Sequence, residues 1–295
     1  MSETSLNSAV AVPHDGTDAE ARPIFREDRK VLGISTETWP GIIAPVVIGL
    51  LALGAWEAIV RIKDIPSFIL PGPLLIIQTL FLDWGTLSTS LWVTLRITAA
   101  ALIAAVTLGV GLAVLFTQSK WLEKSLFPYA VILQVTPVVS IAPLIIIWVG
   151  DITLSLLICA WIVAFFPILS NTILGLNSAD HNLRNLFELY GASRWQTLRH
   201  LRLPAALPYF LGGLKISGGL ALIGAVVAEF VAGSGGTSSG LAYRILEAGY
   251  QLKIPRMFAA LIMISMSGIA IFLAISWLSH VLLRRWHESA VKREN

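Results

Sequence analysis

Glu229 is the residue whose chemistry stands out most in this sequence, because it is a carboxylate near the end of a long apolar run. An ionisable group inside an apolar segment is a functional candidate, and its natural partners here are Arg96 or Arg244. A second constellation surrounds Pro137, where Gln134, Thr136 and Ser140 bring neutral hydrogen-bonding groups into another apolar stretch. Asn171 does the same further on. Such groups have two uses: they satisfy backbone carbonyls that a proline leaves without a donor, or they meet a polar solute. Glu57 reaches toward an interface and Lys215 snorkels along its own stem. The five histidines, His14, His181, His200, His280 and His287, have no ligand spacing, and Cys159 is the single cysteine. No nucleophile, base or metal set emerges. The polar residues read as the lining or the fastening of a membrane structure, not as a reaction centre.

The composition says what must position them. Hydrophobic residues make up 56% of the chain and charged residues 13%, with mean hydropathy +0.76. Soluble domains carry about 25% charge, which excludes a soluble enzyme, a disordered protein and an ordinary nucleic-acid binder. Six segments are apolar over the roughly 20 residues that a bilayer crossing needs: 42–62, 91–117, 126–149, 154–174, 211–230 and 258–283. The fold class expected is therefore all-α, a polytopic membrane protein with six transmembrane helices.

An even number of crossings puts both ends on one side, and the Lys/Arg distribution chooses which. With cytoplasmic ends, 14 basic residues lie inside and 5 outside. Residues 1–38 read as a polar cytoplasmic tail without the apolar core of a signal peptide. Residues 39–65 hold the first span, 66–283 the core, and 284–295 a second cytoplasmic tail. On the outer side, the Gly/Ser-rich run from Gly233 to Gly240 precedes a short interfacial helix over 241–250. Small residues recur along one face of the second span (Ala101, Ala105, Gly109, Ala113) and of the fifth (Ser217, Ala221, Ala225). They suit close helix packing, or, for the fifth span, a pore-lining seam.

The long inner connection, 175–209, reads as two short helices. Asn182–Tyr190 sets Leu183, Leu186, Phe187 and Tyr190 at helical spacing, Gly191 breaks the run, and Ser193 caps a helix over 194–201. Pro204 and Pro208 are expected to end that helix. The product is a helical knob bearing Arg184, Arg194, Arg199 and Arg202. By composition alone it would rest on anionic lipid.

Gly191-Ala192-Ser193 followed by Leu201-Arg202-Leu203-Pro204 resembles the loop of ABC importer permeases written E-A-A-x3-G-x9-I-x-L-P, with Leu201 in place of Ile. Asn185-Leu186-Phe187 stand where the family has E-A-A, and Glu188 lies three residues downstream. Phe68-Ile69-Leu70-Pro71-Gly72-Pro73, Thr94-Leu95-Arg96, Ala142-Pro143-Leu144, Phe165-Phe166-Pro167-Ile168 and Ala228-Glu229-Phe230 extend the likeness to the nitrate/sulfonate/taurine/bicarbonate-type permeases. Trp148-Val149-Gly150-Asp151 departs from that family's W-F-G-x-G.

The resemblance implies a type I importer permease working as a dimer. Its ATPase-coupling loop would use Leu186, Phe187, Glu188, Gly191, Ala192, Ser193, Leu201, Leu203 and Pro204. Its translocation path would draw on Gln134, Thr136, Ser140, Asn171, Ser217, Ala221 and Glu229. No G-x4-G-K-[S/T] phosphate loop occurs in the sequence. ATP and Mg would thus sit on two separate cytoplasmic ATPase subunits, with no cofactor bound by this chain. A second permease copy, a periplasmic or tethered substrate-binding protein and the bilayer complete the implied partners, without nucleic acid. The implied cargo is a small polar solute, either a sulfonate-, nitrate- or bicarbonate-like anion or a pyrimidine-type vitamin precursor, and the implied site is the bacterial inner membrane.

Overall fold

A computed structural model describes residues 30–31, 34–35, 38–233 and 239–284. Most of the expected tails and most of the Gly/Ser run fall outside those residues. The chain divides after Gly54. The first unit contains a two-residue antiparallel ladder, β1 (Lys30–Val31) with β2 (Ile34–Ser35), and the beginning of helix α1 (Thr38–Ile62). The second unit holds the end of α1 and every later element: α2 (Pro73–Leu82), α3 (Trp84–Gln118), α4 (Lys120–Val135), α5 (Val138–Val149), α6 (Ile152–Asn177), α7 (His181–Leu189), α8 (Arg194–Thr197), α9 (Leu203–Ala232), α10 (Leu241–Tyr250) and α11 (Ile254–Leu283). A π-turn, Leu198–Arg202, links α8 to α9.

Five helices are long and apolar enough to cross a membrane, and α4 with α5 makes a sixth crossing if the pair is taken together. The third span is therefore not the single helix the apolar run predicts: α4 and α5 meet at 103°. Pro137 explains the break. It has no N–H to donate back to Leu133, and Thr136 beside it is extended (φ −69°, ψ 123°). Pro128 and Pro143 stay within their helices. At the far end of α5, Gly150 turns the chain at φ +72° and the Asp151 carboxylate accepts from Leu154 N–H at 2.6 Å, so α6 starts at once.

The core of the second unit is α6 packed against α9, with α3 packed against both. Three glycines let backbones touch. A Cβ on Gly175 would lie 2.7 Å from Ala206 Cα, one on Gly213 2.7 Å from the Pro167 carbonyl, and one on Gly224 2.8 Å from Ala160 Cα. The Ser217 hydroxyl donates to Ala164 O at 2.7 Å within the same seam. On α3, Ala101, Ala105 and Ala113 are fully buried, and Gly109 faces Ile168 of α6. The small-residue stripes are thus helix-packing surfaces inside one chain.

Helix α9 brings one correction. Pro204 and Pro208 do not end the preceding helix, because Arg194–Ala232 runs on as a single 39-residue helical segment. Pro204 lies just past the π-turn and has no N–H to return to the preceding turn, so the ladder is already re-registered where it enters. The π-turn absorbs the local mismatch, with Leu203 N–H reaching back five residues to Leu198 O.

Candidate functional site

The helical knob is built by capping. Asp180 accepts from Asn182 N–H at 2.6 Å and from Leu183 N–H at 3.3 Å, which starts α7. At its other end Gly191 adopts φ +67°, Ala192 N–H donates to Phe187 O at 2.9 Å, and Gly191 N–H donates to Glu188 O at 3.0 Å. That pair of bonds is a Schellman motif, which requires a left-handed residue where Gly191 stands. Ser193 and Gln196 then form a reciprocal capping box: Gln196 N–H donates to Ser193 Oγ at 3.2 Å, and Ser193 N–H to Gln196 Oε1 at 2.7 Å. Two helices are held at a fixed angle by about six residues.

Leu183, Leu186, Leu189 and Tyr190 lie exposed on α7, while Phe187 is half-buried. Asn185 and Glu188 are exposed, and Ala192 is half-buried. Leu198 is buried to 1%, Leu201 is half-buried and Leu203 is exposed, so the knob is anchored through Leu198. The α7 face thus leaves Leu183, Leu186 and Leu189 uncovered by the rest of the chain.

The residues expected to line a path separate into two groups. Gln134 and Ser140 are exposed and Thr136 is half-buried, all at the α4/α5 bend. The Thr136 hydroxyl donates to Ile132 O at 2.7 Å, leaving its lone pairs free. Asn171 is half-buried and its amide donates to Pro167 O at 2.8 Å, with its carbonyl oxygen still available. Ser217 and Ala221 instead face α6 and are fully buried.

Glu229 has neither expected arginine beside it. Its carboxylate accepts from the Thr94 hydroxyl at 2.8 Å and from Ala242 N–H at 3.0 Å. Thr94 Oγ1 in turn accepts from Leu241 N–H at 2.9 Å. A buried carboxylate of α9 and a buried hydroxyl of α3 together hold the first two N–H groups of α10. Gly240 lies against the Glu229 carboxylate, with no room for a side chain. Arg244 is occupied elsewhere, donating to Ser90 Oγ and to Glu247 Oε2, each at 2.9 Å. Arg96 is exposed on α3 and has no ion pair among the described residues. In the Thr94-Leu95-Arg96 string it is the neutral Thr94, and not the charged Arg96, that meets Glu229.

Residues 105–288 match the family model described as binding-protein-dependent transport system inner membrane component. The chain is 34% identical to a riboflavin transport system permease protein of Chloroflexus aurantiacus, over 90% of this chain and 98% of the relative. It is 33% identical to a formylaminopyrimidine transport permease of Halalkalibacterium halodurans, covering 82% of this chain and 95% of that one. A putative aliphatic sulfonates transport permease of Bacillus subtilis is 30% identical, over 81% and 85% respectively. In fold the chain resembles the MetNI methionine ABC transporter, with TM-score 0.57 and 18% identity over 67% of this chain and 96% of that chain.

Proposed function

Because the chain belongs to the family of binding-protein-dependent transport inner-membrane components and is the permease subunit of an ATP-binding cassette importer, we propose that it carries a polar nitrogen heterocycle of the vitamin-precursor class inward across the bacterial cytoplasmic membrane. The observation that carries the cargo class is the chemistry at the α4/α5 bend. Gln134, Thr136 and Ser140 offer uncharged donors and acceptors there, and Asn171 supplies another amide. Neutral amides and hydroxyls match the edge of a heterocycle, and leave no fixed charge for it to desolvate against. The riboflavin and formylaminopyrimidine relatives support the same class. A sulfonate- or nitrate-like anion is the second reading, favoured by the exposed Arg96, which has no ion pair among the described residues.

In this reading two copies of the chain enclose the path, and both termini face the cytoplasm. A substrate-binding protein delivers the solute from outside. Two ATPase subunits, which hold ATP and Mg, receive the knobs over 183–203. Their closure on nucleotide pulls the knobs together and opens the path outward; hydrolysis returns it inward. This chain contributes no catalytic group to hydrolysis.

The test is to purify the tagged chain gently from its host and weigh the intact assembly, then to measure ATP-driven uptake in proteoliposomes. Two permeases with two ATPases, and uptake of radiolabelled formylaminopyrimidine or riboflavin that excess alkanesulfonate leaves unaffected, is the expected result. Uptake of sulfonate with no heterocycle transport overturns the cargo. A chain that purifies without any ATPase overturns the coupling assignment.

A further inference from the structure

Helix α7 has two working sides. Leu183, Leu186 and Tyr190 occupy the exposed apolar side. Arg184 and Glu188, one turn apart, lie about a third to half a turn around the helix from that face, at roughly 100° per residue. They look toward the end of α3, across a cavity of about 280 Å³. Arg184, Arg194 and Arg202 all line it, with Thr117, Gln118 and Thr197 between them. Arg184 and Arg202 are half-buried. None of the three guanidiniums has a carboxylate within ion-pair distance among the described residues, although Glu188 shares the wall.

Three cations and one anion around a small cavity leave a net positive field, screened least at the half-buried Arg184 and Arg202 and most at the exposed Arg194. Guanidinium forks with the Gln118 amide beside them suit a tetrahedral oxyanion, while the Thr117 and Thr197 hydroxyls are spent on Ala113 O and Ser193 O. The volume is below the roughly 300–1,000 Å³ typical of pockets that hold whole drug-sized ligands. Depth is set by Trp121, exposed on the first turn of α4 next to Lys120 and Lys124. An exposed tryptophan flanked by lysines marks the headgroup level of a bilayer.

We propose that Arg184, Arg194 and Arg202 form a phosphate-binding site between α3 and the back of the coupling knob, taking the phosphate of an inner-leaflet anionic phospholipid or free phosphate. The inner-leaflet placement rests on the permease reading above, whereas the anion chemistry does not. A phosphate held there bridges the end of a membrane span to the knob, and so stiffens the joint between them.

The test uses the full-length chain in nanodiscs and in detergent, with Arg184→Gln, Arg202→Gln and Arg202→Lys beside the wild type. Native mass spectrometry reads retained phosphatidylglycerol, and thermal unfolding with added inorganic phosphate reads the free anion. Retained lipid that falls about tenfold in both glutamine variants and is partly restored by lysine supports the lipid source. A phosphate-dependent rise in melting temperature, lost in the glutamine variants and without retained lipid, supports the free-anion source. Equal lipid retention and equal phosphate response in wild type and glutamine variants overturns the site. If Arg202→Gln instead strips the ATPase from the assembly while lipid and phosphate binding stay unchanged, the arginines serve the partner protein and the site is likewise overturned. Failure of the wild-type chain to recruit any ATPase bears on the permease reading alone, because anion binding is measured on the isolated chain.

Discussion

Replacing Glu229 by Leu tests what holds α10 to the membrane bundle. Leucine keeps the apolar volume and excludes water, but removes the acceptor for Ala242 N–H. Thr94 is not stranded, since its hydroxyl also reaches Ser90 O at 3.3 Å and still accepts from Leu241 N–H. One buried backbone donor is therefore orphaned, at a cost of about 1–3 kcal/mol. Losing a buried carboxyl relieves some desolvation, so the informative comparison is Glu229→Gln, which keeps a polar head and an acceptor oxygen. Hydrogen exchange of residues 241–250 in detergent is the assay. The leucine variant should exchange roughly 5- to 150-fold faster there than the glutamine variant, while α6 and α7 exchange unchanged. If leucine leaves α10 as protected as glutamine does, the carboxylate is not its fastening. If glutamine opens α10 as far as leucine, charge and not the acceptor is what matters.

Three further substitutions probe the scaffold. Gly191→Val forces a β-branched residue to φ +67°, at about 1–2 kcal/mol or more, whereas Asn tolerates that region. ATP-driven uptake should fall in the valine variant and survive in Gly191→Asn, and equal uptake by both would detach the Schellman turn from coupling. Ser193→Ala removes the cap of α8 and should raise amide exchange over 194–198 by an amount equivalent to about 1 kcal/mol. Gly213→Leu drives a side chain into the Pro167 carbonyl 2.7 Å away and should lower the melting temperature, by about 1–3 kcal/mol or more of overpacking. Gly212→Ala, with nothing within 4 Å, should melt like the wild type.

Long apolar runs are legible because a bilayer crossing is a one-dimensional constraint, and five of the six helices contain the segments expected. Helix α10 falls at 241–250 as expected, since its apolar and polar residues follow a helical period after a glycine. The knob is equally local: Gly191 and Ser193 dictate their own caps. What failed to show was tertiary. Pro128, Pro137 and Pro143 look alike in the sequence, and the break falls only at Pro137. Which proline bends a membrane helix depends on neighbours that re-satisfy the freed carbonyls. Helix α2 was hidden because ten mostly apolar residues, too short to span, sit beside a proline-rich string. Glu229 misled because a carboxylate suggests a cation, while a hydroxyl and a backbone amide serve it as well.

The unbroken run from Arg194 to Ala232 has a kinematic consequence. Arg194 lies at the knob, and Glu229, thirty-five residues along the same rod, grips α10. At 1.5 Å per residue the two ends are roughly 50 Å apart, so a tilt of about 10° about the middle displaces each end by about 4–5 Å in opposite directions. One side of the bilayer thus moves the other through a single lever. The π-turn lies at the near end of that lever and the carboxylate grip at the far end, so a displacement of the knob reaches α10 without crossing a single loop.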